Sequence, residues 1–250
     1  MSERETIIRM NGVTKRFPAG DRQHSLFRTL MASVSRKAAE GETFEALSAI
    51  DLEVDRGDRV AVIGNNGSGK STLLRVIAGL HPPTTGSVEV HGETTLLAGL
   101  GVGMVDELRV EHNIYLYGAV HGIPREELRE SLGEILEWAE LTDFRHAALK
   151  TLSTGMRSRL AFSVTRYFHS DIYLLDEALT AGDQVFREKC DEVLMRDQQS
   201  GRTMVVATHD FKFVERHCNK VLWLQRGKQL GFGTAAEIVP LYHRERVRKA

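Results

Sequence analysis

The sequence predicts an α/β fold with a mainly parallel core sheet. Short apolar runs at 172–175, 204–207 and 221–224 are typical of buried strands, and a helical pattern over 185–196 separates the first two. Strands that alternate with helices favour a parallel sheet with helices on its faces. The 250 residues, 42% hydrophobic and 27% charged, have an ordinary globular composition, which excludes a disordered or fibrous protein.

Four earlier elements follow from the hydrophobic pattern. Apolar and charged residues alternate over 50–54, which predicts a half-buried strand, and the continuous apolar run 60–63 predicts a buried one. Aliphatic residues at helical spacing predict a helix over 70–80, and the Pro- and Gly-containing segment 81–86 ends it. A short strand follows around Val88.

A helical block occupies the middle of the chain. One helix begins near Pro124, and another extends to Phe168. The block has the pattern of an insertion between strands of one sheet. We therefore expect a single domain, 1–250, with a catalytic core at about 1–97 and 169–250 and a helical subdomain at about 98–168.

The segment 25–40 places apolar residues, among them Leu26 and Phe27, on one helical face. The commoner explanation is a surface helix packed on its own domain. The alternative is an amphipathic helix that lies near a membrane or a membrane partner.

Charge and hydropathy exclude several classes of function. The chain has 33 Lys and Arg against 34 Asp and Glu, and this near-neutral balance argues against a nucleic-acid partner. Two cysteines are too few for a disulfide scaffold and favour a reduced cytosolic compartment. No stretch approaches the roughly 18 apolar residues that span a bilayer. If the protein serves a membrane, we expect it to do so from outside the lipid.

Residues 64–71 fit the pattern G-x-x-x-x-G-K-[ST] at every position, between the apolar strand and the helix. Glycines let backbone N–H groups converge on phosphate oxygens, and the helix N-terminus adds positive potential. Lys70 is predicted to reach the β- and γ-phosphates, and Ser71 to bind Mg²⁺. The predicted nucleotide-binding residues here are Gly64, Asn65, Asn66, Gly67, Ser68, Gly69, Lys70, Ser71 and Thr72.

Asp176 and Glu177 follow the apolar strand 172–175, at the sheet edge where ligands bind in such folds. Asp176 suits the Mg²⁺ side of the site, by oxygen ligation or a bridging water. Glu177 is free to polarise the water that attacks the γ-phosphate. Alone, an acidic pair after a strand is usually a solvated strand end, but beside a phosphate loop it predicts an ATPase.

Residues 151–159, TLSTGMRSR, resemble the LSGGQ signature of ABC-type ATPases, although Thr154 and Met156 depart from it. The segment 207–210 is similar to that family's switch-histidine segment, and 181–183 to its D-loop. The resemblance covers roughly residues 5 to 240. It implies a P-loop NTPase fold whose mainly parallel sheet carries an N-terminal antiparallel β part and an inserted α-helical subdomain.

In that family, two ATPase domains close head to tail on two ATP molecules. The resemblance implies that Ser153 and Gly155 contact the γ-phosphate bound by the second copy. His209 would contact the γ-phosphate and join Lys70 and Glu177 as catalytic residues, and Asp183 would cross the dimer interface. Phe17 is the candidate aromatic for the adenine, with core packing an equal alternative.

The Ser-x-Gly-Met signature and the glycine-rich segment 97–104 are similar to those of ATPases that export polysaccharide, O-antigen, capsule or teichoic acid. The resemblance implies ATP and Mg²⁺ as cofactors, a second copy and integral membrane permease subunits as partners, and the cytoplasmic face of the membrane as the location. Gly99 stands where the family has Gln or Glu; either the missing side chain slows hydrolysis, or backbone or water makes the contact instead. No room is expected for a C-terminal carbohydrate-binding domain. The alternatives are another transported substrate, a soluble ABC ATPase without transport, and a nucleotide-gated clamp.

Overall fold

In the computed structural model, the described residues are 5–18, 43–97, 101–176 and 201–249, together with positions 186, 189 and 193; the side chains of 246–249 are not included. Several predictions lie outside these residues: the segment 25–40, Gly99, Glu177 and Asp183, as well as most of the helical run 185–196.

The described strands form one nine-stranded sheet in the order β4-β1-β2-β9-β8-β3-β7-β6-β5. Their bounds are β1 (Thr6–Pro18), β2 (Thr43–Asp55), β3 (Arg59–Ile63), β4 (Thr85–Val90), β5 (Thr94–Leu97), β6 (Ile172–Asp176), β7 (Thr203–Ala207), β8 (Lys220–Gln225) and β9 (Lys228–Thr234). The block β8-β3-β7-β6-β5 is parallel, whereas β1 pairs antiparallel with β2 and β4, and β8 with β9. The predicted α/β class and parallel core are therefore confirmed. The two parts of the sheet meet where β2 pairs with β9 through Ser48 and Lys228.

The described helices are α1 (Lys70–Ile77), α2 (Val110–Val120), α3 (Arg125–Trp138), α4 (Thr154–Thr165), α5 (Phe211–His217) and α6 (Ala235–Lys249), with 3-10 turns at Thr142–Phe144 and Leu149–Thr151. No helix in the described ranges is long and apolar enough to cross a membrane. Two predicted helix ends were wrong. The helix at 154 ends at Thr165, so Phe168 lies beyond it.

The helix at Lys70 ends at Ile77 rather than at Leu80 because Gly79 adopts a φ of 72°. Gly79 N–H donates to Val76 O (3.1 Å), and Leu80 N–H donates to Arg75 O (2.9 Å). This pair of bonds is the Schellman ending, which satisfies the last helical carbonyls. The spacing of the leucines does not reveal where the helix ends, because Leu80 fits the helical spacing although it lies beyond the last helical residue.

The core lies on both faces of the sheet, because alternate strand residues point to opposite sides. Ala61 and Ile63 belong to an apolar cluster shared with α2, α3 and α4, whereas Val60 and Val62 belong to a cluster shared with α1. The strand runs are apolar throughout because both faces are covered. Because helices cover both faces of the sheet, a ligand reaches it at the carboxyl ends of the parallel strands.

Candidate nucleotide-binding site

Three sequence motifs meet at the carboxyl edge of the parallel strands. The β3 strand runs into Gly64, and its neighbour β7 ends at Ala207, next to Thr208 and His209. The β6 strand lies beside β7 and pairs Asp176 with Ala207. Because neighbouring strands lie about 4.8 Å apart, Asp176 is roughly 10 Å from the end of β3. The fold thus brings the phosphate loop, the acidic strand end and the histidine segment to one edge.

Residues 64–71, the predicted phosphate loop, need their glycines for steric reasons. Gly64, Gly67 and Gly69 have φ values of 152°, 76° and 108°, which side chains rarely adopt. A Cβ on Gly64 would lie 2.2 Å from Leu224 O, and one on Gly69 would lie 2.7 Å from Ala46 O. The loop therefore packs against neighbouring strands as bare backbone at these two glycines.

Lys70 is 7% exposed, and its ammonium donates to Gly64 O (3.0 Å) and Asn65 O (3.4 Å). A buried charge is tolerated when it is hydrogen-bonded in this way. Ser68 is also buried, and its N–H donates to Asn65 O (3.0 Å). The loop is thus folded around its own cation.

A cleft of about 650 Å³ opens over the loop, a volume typical of small-ligand sites. Ser71 and Thr72, at the start of α1, reach it together with the loop backbone. The walls come from β2 and from the connection between β8 and β9. The lining residues are Phe44, Glu45, Ala46, Asn66, Gly67, Gly69, Lys70, Ser71, Thr72, Arg226 and Gly227.

The aromatic residue that lines this cleft is Phe44, which the sequence motifs do not indicate. Phe17 is not among the lining residues; its ring stacks on that of Phe44 at a centroid distance of 5.6 Å. The two residues pair directly in the antiparallel register of β1 and β2. The adenine role of Phe17 stays a prediction. Sequence offers no signal for Phe44, because residues 19–42 separate the pairing strands in the chain.

Glu45 places a carboxylate in the cleft, where an anionic ligand would be repelled. A hydrogen bond from the Ser48 side chain, followed by one from Arg16, lowers the pKa of Glu45 below its ordinary value. Arg16 Nε lies 3.0 Å from the carboxylate. Glu45 is therefore ionised at neutral pH, and Arg16 offsets its charge.

The signature segment begins α4 with Ser153 as the N-cap, whose Oγ accepts a hydrogen bond from Met156 N–H (3.2 Å). Ser153 is exposed, and a Cβ added to Gly155 would meet only Ser153 Oγ at 4.0 Å among the described residues. His209 is exposed as well, and the next residue, Asp210, caps α5 by accepting from Lys212 N–H and Phe213 N–H. The capping role of Ser153 is compatible with a second role toward a partner.

Comparison with known proteins gives a consistent result. Residues 47–180 match the family described as ABC transporter. The chain is 34% identical to the O-antigen export system ATP-binding protein RfbB of Klebsiella pneumoniae, over 95% of this chain and 98% of that protein. It is 37% identical to the teichoic acids export ATP-binding protein TagH of Lactiplantibacillus plantarum over 80% of this chain. The chain spans only 55% of that TagH and 42% of the Bacillus anthracis TagH.

Solved structures agree on the fold. The ATP-binding cassette MJ0796, in a dimeric post-hydrolysis state bound to ADP and Pi, aligns with a TM-score of 0.72 at 24% identity, covering 92% of this chain and 99% of that one. A structure of the ATP-binding subunit of an ABC transporter aligns with a TM-score of 0.73 at 20% identity, covering 95% and 94%.

Proposed function

This chain belongs to the ABC transporter family, and we propose that it is the ATP-binding and ATP-hydrolysing subunit of a transporter that exports a polysaccharide or a lipid-linked glycan. The observation that carries the proposal is the cleft over the phosphate loop, with Lys70 at its centre and Asp176 and His209 on the same edge. The export class rests on the relatives, which are named for teichoic acid and O-antigen export.

For ATP hydrolysis, Lys70, Asp176 and His209 are assigned by their place at this edge, and Glu177 by its position after β6 in the sequence. Lys70 binds the β- and γ-phosphates, and the proposed base Glu177 orients and polarises the attacking water. His209 contacts the γ-phosphate and steadies the attacking water. The residues fit Mg²⁺, because Ser71, which carries a hydroxyl, lines the cleft and Asp176 ends β6 at the same edge of the sheet. Mg²⁺ is commonly held by one or two protein oxygens plus substrate phosphates, and when bound it would neutralise phosphate charge.

Two copies are proposed to close head to tail, with Ser153 and Gly155 of one copy on the ATP of the other. Glycine weakens a helix relative to alanine, so a helical glycine usually has a steric reason. Gly118 in α2 has one, since a Cβ there would lie 2.4 Å from Leu128 Cδ1. The described residues give Gly155 no such reason. The open space at Gly155, at the start of α4, leaves room for the ATP of a second copy to approach closely.

The permease is proposed to dock in a second groove of about 350 Å³. Three large aliphatic side chains at this groove are unusually exposed: Leu80 (61%), Val102 (67%) and Val120 (62%). The groove lies between the end of α1, β5 and α2, where the proposed helical subdomain, about 98–168, joins the core. A contiguous exposed apolar patch indicates a protein partner. The chain is proposed to bind this permease at the cytoplasmic face of the membrane.

The experiment that tests this function is a pull-down of the tagged chain from detergent-solubilised native membranes, with a Val120→Asp variant as the matched control. We expect the wild-type chain to recover an integral membrane subunit encoded beside glycan-synthesis enzymes, and Val120→Asp to recover much less. Recovery of ribosomes or DNA would contradict the transporter assignment. A permease encoded beside genes for the transport of another solute would contradict glycan as the exported substrate. It would leave the assignment as the ATPase subunit of a transporter unchanged.

A further inference from the structure

The turn between β8 and β9 has an unfavourable residue at one of its two positions. Gln225 pairs with Lys228, so the connection consists of Arg226 and Gly227, with φ values of 49° and 78°. Two-residue turns with both φ positive strongly prefer Asn-Gly, Asp-Gly or Gly-Gly. An arginine in the left-handed region costs conformational energy that asparagine or glycine would not. The folding of the hairpin therefore does not explain Arg226.

The contacts of Gly227, the second residue of the turn, fix the position of Arg226, the first. A Cβ on Gly227 would be 2.7 Å from Ala46 O, so the turn packs closely on β2. Gly227 N–H donates to Ser68 O (2.9 Å), and Ser48 N–H donates to Gly227 O (2.8 Å). The turn is thus held between the phosphate loop and β2. Arg226 is held with it, at the wall of the nucleotide cleft.

The charges around the cleft leave Arg226 available to a ligand. Among the described lining residues, the other cation is Lys70, whose buried ammonium already bonds the loop carbonyls. Glu45, the carboxylate in the lining, is engaged by Arg16 at 3.0 Å. Arg226 is exposed and makes no hydrogen bond or ion pair with another described residue. Strain at a site wall together with an uncompensated charge is typical of a functional residue.

We infer that Arg226 is a nucleotide-binding residue whose guanidinium donates to a phosphate oxygen of ATP. The guanidinium fork matches the geometry of phosphate oxygens and can donate two hydrogen bonds to them. The inference rests on the proposed function, since it takes the cleft as the ATP site. The contribution of Arg226 is measured as affinity for ATP, because its guanidinium is inferred to hold a phosphate oxygen.

The test uses Arg226→Asn, because asparagine is favoured at this turn position while it lacks the charge. Stability and binding should therefore move in opposite directions. We expect the melting temperature of the nucleotide-free protein to be unchanged or higher. We expect the Kd for ATP, measured by calorimetric titration at low salt, to rise about tenfold. Arg226→Gly, which also suits the turn, should behave in the same way.

Two controls separate a phosphate contact from a general effect of charge and from a change in the turn. Lys228→Asn removes the same charge from the same hairpin at a position outside the cleft lining, and it should leave the Kd for ATP near the wild-type value. Arg226→Lys should recover most of the affinity, and the loss in Arg226→Asn should shrink with added salt. Wild-type affinity in Arg226→Asn would overturn the inference. A salt-independent loss that lysine does not rescue would overturn the phosphate contact. Failure of the wild-type protein itself to bind ATP would instead refute the proposed function.

Discussion

Alanine substitution at two helical glycines separates an effect on the stability of the fold from an effect on ATP-dependent dimerisation. Gly155 in α4 and Gly133 in α3 both have open space where a Cβ would be added: only Ser153 Oγ lies near the first, at 4.0 Å, and no described atom lies within 4 Å of the second. Alanine should therefore fit at both positions within one chain. If Gly155 contacts the γ-phosphate of ATP bound to a second copy, a methyl group at position 155 blocks that contact. A methyl group at position 133 does not.

The size of the stability effect follows from helix propensity. Glycine in a helix interior is less stable than alanine by about 0.5–1 kcal/mol. For a domain of this length, 1 kcal/mol corresponds to about 2–4 °C in Tm. We expect Gly133→Ala to raise the Tm of the nucleotide-free protein by up to this amount. The gain at Gly155 should be smaller, because it is the second residue of α4.

The functional effect should differ sharply between the two variants. Loss of one donor to a phosphate or oxyanion costs about 10²–10³ in rate when it acts in the transition state. We expect Gly155→Ala to lower ATP turnover at least tenfold and to weaken ATP-dependent dimerisation, measured by light scattering after size exclusion in a Glu177→Gln background. ATP binding to the isolated subunit should be unchanged in both variants. Wild-type turnover and dimerisation in Gly155→Ala would refute the head-to-tail assignment.

Three further predictions concern the other assigned residues. Lys70→Ala should weaken nucleotide binding itself, because it removes the cation around which the loop folds; an unchanged Kd for ATP would contradict the phosphate-loop assignment. Glu177→Gln should retain ATP binding and accumulate an ATP-bound dimer, because only water activation is lost; normal turnover would remove Glu177 from that role. Val102→Asp should abolish export and permease capture at normal basal ATPase activity, since it charges the exposed groove; a normal export assay would show that the permease docks elsewhere.

Much of the core could be predicted from the sequence, because short buried strands such as 60–63 and 172–175 are apolar on both faces. The strand β9 was not predicted, since its sequence KQLGFGT is polar and glycine-rich and its pairing depends on β8. In the candidate site, too, only the parts that are contiguous in the sequence could be predicted. The phosphate loop is contiguous in sequence, and its glycine spacing identifies it. Phe44 and Arg226 reach the cleft only through strand pairing and a hairpin turn, which local patterns do not reveal.

The narrow junction of the sheet has a consequence for its local opening. The β2 strand meets β9 at the Ser48–Lys228 pair, whereas β3 is paired along its length on both sides. Amides at such a junction open by local fluctuation more readily than those in a fully paired centre. The cleft spans this junction, with Phe44 and Glu45 on one side and Lys70 and Ser71 on the other. A nucleotide bound in this cleft would therefore hold the two parts of the sheet together, and the Ser48 amide should exchange its hydrogen with solvent more slowly when ATP is present.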